Sequence, residues 1–390
     1  MKPIYIIDSF SKYAFHEMFN AGLLAECMCI SDRIYYYAGK SSIISLKNML
    51  PHRKPDNIIF KQILVIEGNR KICTLLRFIV SMVYNIILLL IIHKDALIIY
   101  NYNNIFSLPL INFLNKYLKK KIVVFCHGEF EVFNNVAVKD INIFWKFHGR
   151  KVKQFFSNNI FGISKSLVFF VLGDNIRNNL KKYVSDNVFE KIYSVEHPYI
   201  SGFHKMKRRE ETKINIGMVG QARKGKNIEN YITIAKMFSE EILNGRIAFS
   251  IVGSVDINRN EIKEEKIDIP LNRSNLSRKE FENEIANLDY VVFFYNKDRY
   301  RYTASGPFFD ALNFEKPIIS LRNEYFEYMF NKYGAFGILV DSIEEMGIYI
   351  RDLLKNRAVL QFAFNEIKNV LSPENLALQF KTELEKAGVM

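Results

Sequence analysis

Ser305-Gly306-Pro307, then Phe308 to Phe314, then Lys316-Pro317-Ile318-Ile319 is the stretch of this chain best suited to chemistry. Ser or Gly as a cap with Pro at the first helical position marks a helix start. The following apolar residues predict a short helix over 308–314, ended by Lys316-Pro317, and a buried parallel strand over 318–321. A helix start presents N–H groups and partial positive charge, so it can hold a phosphate. Asp310 falls one turn further on, where its two carboxylate oxygens suit the two hydroxyls of a ribose. A phosphate cradle beside a ribose acceptor suits a nucleoside diphosphate. The plainer reading is a capped helix in any strand–helix–strand unit.

Three more places put reactive or charged groups after apolar strands. Gly217-Met-Val-Gly220-Gln-Ala-Arg223-Lys224-Gly225-Lys226 combines glycines, which admit a diphosphate to the backbone, with cations that neutralise it. It lacks the Gly-Lys-Ser/Thr of a P-loop, and a solvated βα turn would look the same. Phe249-Ser-Ile-Val ends at Gly253, either a ligand-edge or a plain turn glycine. Val123-Val-Phe-Cys ends at His127-Gly128-Glu129, with Glu129 able to cap the turn; a polar triplet there sits where parallel sheets bind ligands. Tyr300-Arg301-Tyr302 precedes the phosphate cradle. Arg301 can pair with a diphosphate or sugar, or be an exposed loop cation; Tyr302 can stack or hydrogen-bond. Asp8-Ser9-Phe10-Ser11 and Glu196-His197-Pro198 follow the first and last strands of the first half.

These groups need strands and helices to place them. Strands and helices alternate throughout, which predicts parallel sheets wrapped by helices. The expected strands of the first half are 4–7, 63–66, 97–100, 122–126, 160–163 and 191–195. Helices over 13–25 and 108–118 lie between them. A second series is expected at 214–219, 249–252, 290–294, 318–321 and 336–340, with a helix over 278–287. Between them, residues 199–212 carry a charge run that reads as a solvated linker. The expected domains are 1–200, 201–372 and a C-terminal helix within 373–390.

Ser-Gly, an acidic residue, Ala-Leu and Lys-Pro-Ile-Ile resembles the donor-binding motif of retaining GT-B glycosyltransferases (glycosyl transferases group 1), which build bacterial lipopolysaccharide and capsule. The usual pattern is Glu, seven residues, Glu, a small residue and Gly-Lys-Pro-Val-Ile. Asp310 matches the second acid; Tyr302 stands at the first. The resemblance is close over 215–321 and loose elsewhere. It implies an α/β chain of two tandem Rossmann-like, doubly wound domains facing a cleft, the final helix packing back on the first domain. It implies that Gly220, Arg223, Lys226, Gly253, Arg301, Ser305, Gly306 and Asp310 hold the nucleotide sugar, with Lys224 as the alternative for either cation. The region after Gly253, with residues 269–273, would line the base. His127 would bond a sugar hydroxyl, and Glu129 would take a proton from the acceptor. The segment Phe161-Gly-Ile-Ser164 resembles a family strand ending in Ser.

Composition bounds the rest. At 390 residues with 49% apolar and 24% charged residues, the chain is an ordinary globular protein long enough for two domains. Cys27, Cys29, Cys73 and Cys126 have no metal spacing and read as reduced, buried thiols. No Asp-x-Asp motif stands in a site, so neither metal nor cofactor is expected beyond the donor substrate. No secretory signal peptide is evident. The net charge of +13 is uneven: residues 1–200 hold 26 Lys+Arg against 14 Asp+Glu, and residues 201–390 hold 28 against 27. A basic half beside a neutral one suits an anionic membrane surface or a lipid-diphosphate acceptor; a lineage bias toward Lys is the plainer account, and no nucleic-acid-binding motif accompanies the charge. Phe78 to Ile92 is fifteen mostly apolar residues, short for a membrane span. It reads as a buried helix, with insertion in a membrane interface as the alternative. The expectation is a cytoplasmic hexosyltransferase on the inner face of the plasma membrane. Its acceptor would be a saccharide or lipid-linked saccharide. A nucleotide-sugar 2-epimerase of the same fold and a non-catalytic sugar-nucleotide-binding subunit are the rivals.

Overall fold

The computed structural model describes residues 2–13, 15–50, 57–134, 143–159, 162–200, 213–256, 276–297, 300–356, 362 and 364–390. The expected linker (from residue 201 on) and the expected base-lining residues 269–273 lie outside them. The chain forms two compact units. Unit 1 comprises Met1–Ile200, Arg301–Ala304 and Val370–Met390; unit 2 comprises Ser201–Tyr300 and Ser305–Asn369.

Unit 1 is built on a seven-stranded sheet: β1 (Ile4–Asp8), β2 (Ile34–Ala38), β3 (Ile58–Gln62), β4 (Leu97–Tyr100), β5 (Lys121–Cys126), β6 (Leu167–Leu172) and β7 (Ile192–Val195). The order is β3-β2-β1-β4-β5-β6-β7, every pair parallel. Helices α1 (Glu17–Ile30), α2 (Lys40–Met49), α3 (Lys71–Ile91), α4 (Leu108–Leu118) and α5 (Ile143–Ser157) belong to this unit. All residues of β4 and β6 are buried; a parallel sheet covered on both faces demands such continuous apolar runs. The C-terminal helix Pro373–Lys386 packs against α1 and β7.

The expected strand over 160–163 is replaced by β6. Residues 160–161 lie outside the described ones, and Ser164-Lys165-Ser166 precedes a strand rather than ending one. Asn112 and Asn115 bind Ser164 through its amide and hydroxyl, so this polar stretch is the entry turn. The expected strand over 63–66 begins earlier, at Ile58; only the Ile63 amide continues the pairing, to the Ala38 carbonyl at 2.9 Å. β2, the Ile-Tyr-Tyr-Tyr-Ala run, is an additional strand; its residues are alternately buried and half-buried. The helix expected over 13–25 starts later, at Glu17, because Tyr13 and His16 have positive φ. α3 corrects the buried-helix reading, since only a third of its most apolar 18-residue window is buried.

Unit 2 holds a five-stranded parallel sheet of order β10-β8-β12-β13-β14. Its strands are β8 (Ile214–Val219), β10 (Ile247–Val252), β12 (Tyr290–Phe293), β13 (Ile318–Leu321) and β14 (Gly337–Val340). A two-residue pair, β9 (Ala222–Arg223) with β11 (Val255–Asp256), extends from the ends of β8 and β10. In both sheets the strand order reverses once among these strands, between β1 and β4 and between β8 and β12. Ligands of open α/β sheets bind at such switch points, beyond the carboxyl ends of the strands.

Candidate functional site

In unit 2 the chain leaves β8 at Gly220 with φ +90. A Cβ there would lie 2.8 Å from Pro307 Cγ and 3.3 Å from Lys226 Nζ. The bare glycine therefore lets the start of helix Gly306–Asn313 and the Lys226 ammonium close on one point. Gly253 (φ +138) ends β10, and a Cβ on it would fall 2.1 Å from the Gly220 carbonyl oxygen. Each glycine is thus required by backbone geometry rather than by flexibility.

Lys226 closes a short 3-10 turn, Lys224–Lys226. Asn227, in the left-handed region (φ 53), follows it and donates to the Phe294 carbonyl at 2.6 Å, tying the turn to the end of β12. Lys226 is buried, and its Nζ lies 5.9 Å from the centre of the Tyr295 ring. Burial, reinforced by the like charge of Arg223 and opposed by Asp310, lowers its pKa to about 8. No hydrogen bond or ion pair engages this ammonium among the described residues. Arg223 itself is exposed.

Helix Gly306–Asn313 is capped by Ser305, which is fully buried and shares a 2.9 Å hydroxyl–hydroxyl bond with Tyr295. Tyr300 stacks on Tyr295 with ring centres 3.8 Å apart. Ser305 therefore orients the helix start instead of capping it by its side chain. The Cβ position of Gly306 faces open space. Asp310 is buried and accepts from Arg278 Nη2 at 3.3 Å. One oxygen of the expected ribose acceptor is thus already engaged by an arginine outside the motif.

The structure gathers seven of the expected donor residues in unit 2: Gly220, Arg223, Lys226, Gly253, Ser305, Gly306 and Asp310. Arg301 departs from them. It belongs to unit 1, where its carbonyl accepts from Asn179 Nδ2 at 3.2 Å. Tyr302 is likewise unit 1 core, 1% exposed, edge-on to Phe133 and Tyr183. Its amide meets a Glu131 oxygen at 3.3 Å. That burial corrects the expectation of a ring free to stack on ligand.

In unit 1 the carboxyl edge of the sheet gathers polar groups from β1, β4, β5 and β7. His127 Nε2 lies 2.7 Å from the Asn101 carbonyl oxygen. A carbonyl only accepts, so Nε2 carries the hydrogen and Nδ1 keeps the lone pair. Burial lowers the His127 pKa to about 4 and that of His197 to about 3. His16, edge-on to His127 at 4.4 Å between ring centres, is lowered too, by burial and then by both neighbouring imidazoles. Near pH 7 these rings are neutral. Glu129 starts a 3-10 turn and has both oxygens occupied, by Asn103 Nδ2 at 2.7 Å and the His127 amide at 2.8 Å. Burial raises its pKa. Glu129 holds the turn that positions His127. Asp8 is fully buried and accepts from the Ser11 amide, Asn20, Ser42 and Tyr36. It organises the edge from within.

Sequence reasoning missed Asn101 and Asn103, which orient His127 and Glu129. Their signal was present: Asn101-Tyr102-Asn103-Asn104 directly follows a wholly apolar strand. It also missed Tyr295, one residue beyond the expected strand end. Among the described residues no cluster of three or more His, Cys, Asp or Glu could hold a metal ion.

Two doubly wound parallel sheets in tandem have clear counterparts among solved structures. Trehalose-6-phosphate synthase OtsA superposes with a TM-score of 0.60 at 10% identity, over 99% of this chain and 99% of that one. The fold is GT-B. Staphylococcus aureus TarM, solved with UDP and α-GlcNAc-glycerol, gives 0.55 at 17% identity over 78% of this chain. The pneumococcal O-GlcNAc transferase GtfA, solved with UDP and GlcNAc, gives 0.52 at 14% over 78%. This chain spans 58% and 59% of those two GT-B neighbours. No protein-family model and no curated protein matches the sequence.

Proposed function

We propose that the chain is a glycosyltransferase that moves a hexose from a nucleotide-diphosphate sugar to a saccharide or lipid-linked saccharide of a bacterial surface polysaccharide. The observation that carries this reading is Lys226: a buried ammonium between a glycine turn and a helix start, acted on by Asp310 only at a distance and held by no hydrogen bond or ion pair among the described residues. Burying a cation is unfavourable unless an anion meets it. A diphosphate supplies that anion and also suits the Gly306 helix start. The UDP complexes of TarM and GtfA favour the same class of ligand.

In this reading Lys226 and the helix dipole meet the charge that develops on the departing nucleoside diphosphate. Asp310, steered by Arg278, takes the ribose. His127 offers the Nδ1 lone pair to a sugar hydroxyl, and Glu129 fixes the turn that aims it. Retention at the anomeric carbon rests on the motif around Ser305 and Asp310. Calorimetry with UDP, GDP, ADP and CDP on the wild type and on Lys226→Met tests the site. A wild type that binds none of them sinks it.

Tyr302 favours a second reading. The first acid of the usual motif is here a phenol locked in a core, so a subunit that binds nucleotide sugar without transferring it deserves its own assay. Labelled donor sugar incubated with lipid-linked acceptors separates the two: binding without transfer selects the second.

A further inference from the structure

α3 turns polar residues inward and leaves an apolar stripe outward. Its buried face carries Arg77, Ser81 and Asn85 together with Phe78, Leu88 and Leu89. Arg77 donates to the Ile66 and Gly68 carbonyls at 2.6 and 2.8 Å. Ser9 bonds both Ser81 (2.8 Å) and Asn85 (2.7 Å), and Asn85 reaches Ser107. These bonds fix which face turns inward. The opposite face is one stripe of Ile72, Leu76, Ile79, Val83, Ile87 and Leu90, each 42–57% exposed. Spacings of three and four residues keep them on one side of the helix.

The stripe does not stand alone. α4 packs beside α3 and exposes Leu110, Phe113 and Tyr117. The start of α5 joins it through Phe78, which meets Phe144 and Trp145 at ring distances of 5.5 and 6.2 Å. Trp145 and Phe147 are themselves exposed. An apolar surface running over three helices is more than scattered exposure, and it calls for a covering partner. The three helices contain seven Lys and Arg (two in α3, one in α4, four in α5) and not one Asp or Glu. Lys116, Lys146, Arg150 and Lys153 are exposed.

We infer that the outer faces of α3, α4 and α5 form a monotopic docking surface for an anionic lipid bilayer. Apolar side chains enter the headgroup–acyl boundary while the cations meet lipid phosphates. The inward hydrogen bonds of Arg77, Ser81 and Asn85 keep α3 lying on the membrane, not spanning it. A second copy of the chain fits this surface poorly, because a two-fold contact would set cations against cations. The inference does not depend on the proposed glycosyl transfer, and its test needs no substrate.

Trp145 is the chain's single tryptophan and is 46% exposed, so the native protein carries its own reporter. With vesicles of phosphatidylcholine and phosphatidylglycerol, its emission is expected to shift to the blue and to be quenched by nitroxide-labelled lipid. Flotation should recover the full chain with these vesicles. Ile79→Glu/Val83→Glu/Ile87→Glu should reduce flotation roughly tenfold or more, with an unchanged circular-dichroism spectrum. Lys146→Glu/Lys153→Glu should weaken it without touching the apolar stripe. An unshifted Trp145 spectrum, or wild-type flotation of the triple variant, overturns the inference. A wild-type dimer by light scattering that the triple variant converts to monomer overturns it in favour of a second copy.

Discussion

At the scale of single residues, the central prediction concerns a proton. Lys226 has a pKa near 8 in the free protein, far below that of an exposed lysine. A bound diphosphate would raise it, so binding takes up a proton wherever the free amine is neutral. Affinity for a nucleoside diphosphate should be flat just below pH 8, above the ligand phosphate's own titration at about pH 6, and fall as pH rises above about 8. Lys226→Met should weaken binding by about 1.5–3 kcal/mol, the range for a hydrogen bond to a charged group, and abolish that pH dependence. A dependence that survives in Lys226→Met points to another group. Exposed Arg223 should contribute much less, about 1 kcal/mol or below in Arg223→Ala. His127 belongs to the same scale. With a pKa near 4 it is neutral at working pH, and in the proposed function its part would be to accept a hydrogen bond, not to titrate. His127→Ala should therefore lower turnover by about tenfold, one neutral hydrogen bond's worth. The wild-type rate profile should show no step from this ring near pH 6.5. A 10⁴-fold loss or such a step returns His127 to general acid–base catalysis.

At the scale of elements, the glycine turns decide whether the site exists. Gly253→Ala places a methyl against the Gly220 carbonyl, and backbone must move to admit it. At φ +138 the alanine is also strained. We expect a loss of about 1–3 kcal/mol in urea unfolding, together with weaker nucleotide binding, because Gly220 sets the approach of Lys226 to Pro307. Normal stability with normal binding would show that this turn relaxes freely. These elements also show what the sequence disclosed. β4 and β13 were legible because each is a compact apolar run bounded by turn residues, and the helix at Gly306 because Ser-Gly-Pro is local chemistry. β6 was hidden by its polar entry turn. Ser164-Lys165-Ser166 looks the same before a strand as after one until Asn112 and Asn115 are seen to bind Ser164. α3 misled in the opposite direction. Its hydrophobicity suggested burial, and only long-range bonds from Ser9 and Ser107 reveal that its polar residues turn inward. In the site, Lys226 and Asp310 were legible from the motif. The Arg278 partner and the Asn101 brace were not, because both come from distant segments.

At the scale of the whole molecule, the chain does not divide into consecutive halves. Unit 1 is completed by Arg301–Ala304 and by Val370–Met390, so its core closes only after unit 2 has been traversed. Phe380, on the C-terminal helix, is fully buried. Its ring meets Phe125 of β5 at 5.7 Å and Phe170 of β6 at 5.2 Å. Ala377, Leu384 and Val389 join the same core. Contacts so far apart in sequence are costly to close and form late. Removing the ring takes away buried area and leaves a cavity over β5 and β6. Phe380→Ala should therefore destabilise unit 1 by about 3–5 kcal/mol, a large share of the stability of any domain. Hydrogen exchange locates the effect: amides of β5 and β6 should lose protection, while those of β8 and β12 keep theirs. Equal loss in both sheets would mean that the two units unfold as one cooperative body. Unchanged protection in β5 and β6 would mean that the C-terminal helix is only a cover, and that unit 1 can complete its core without it.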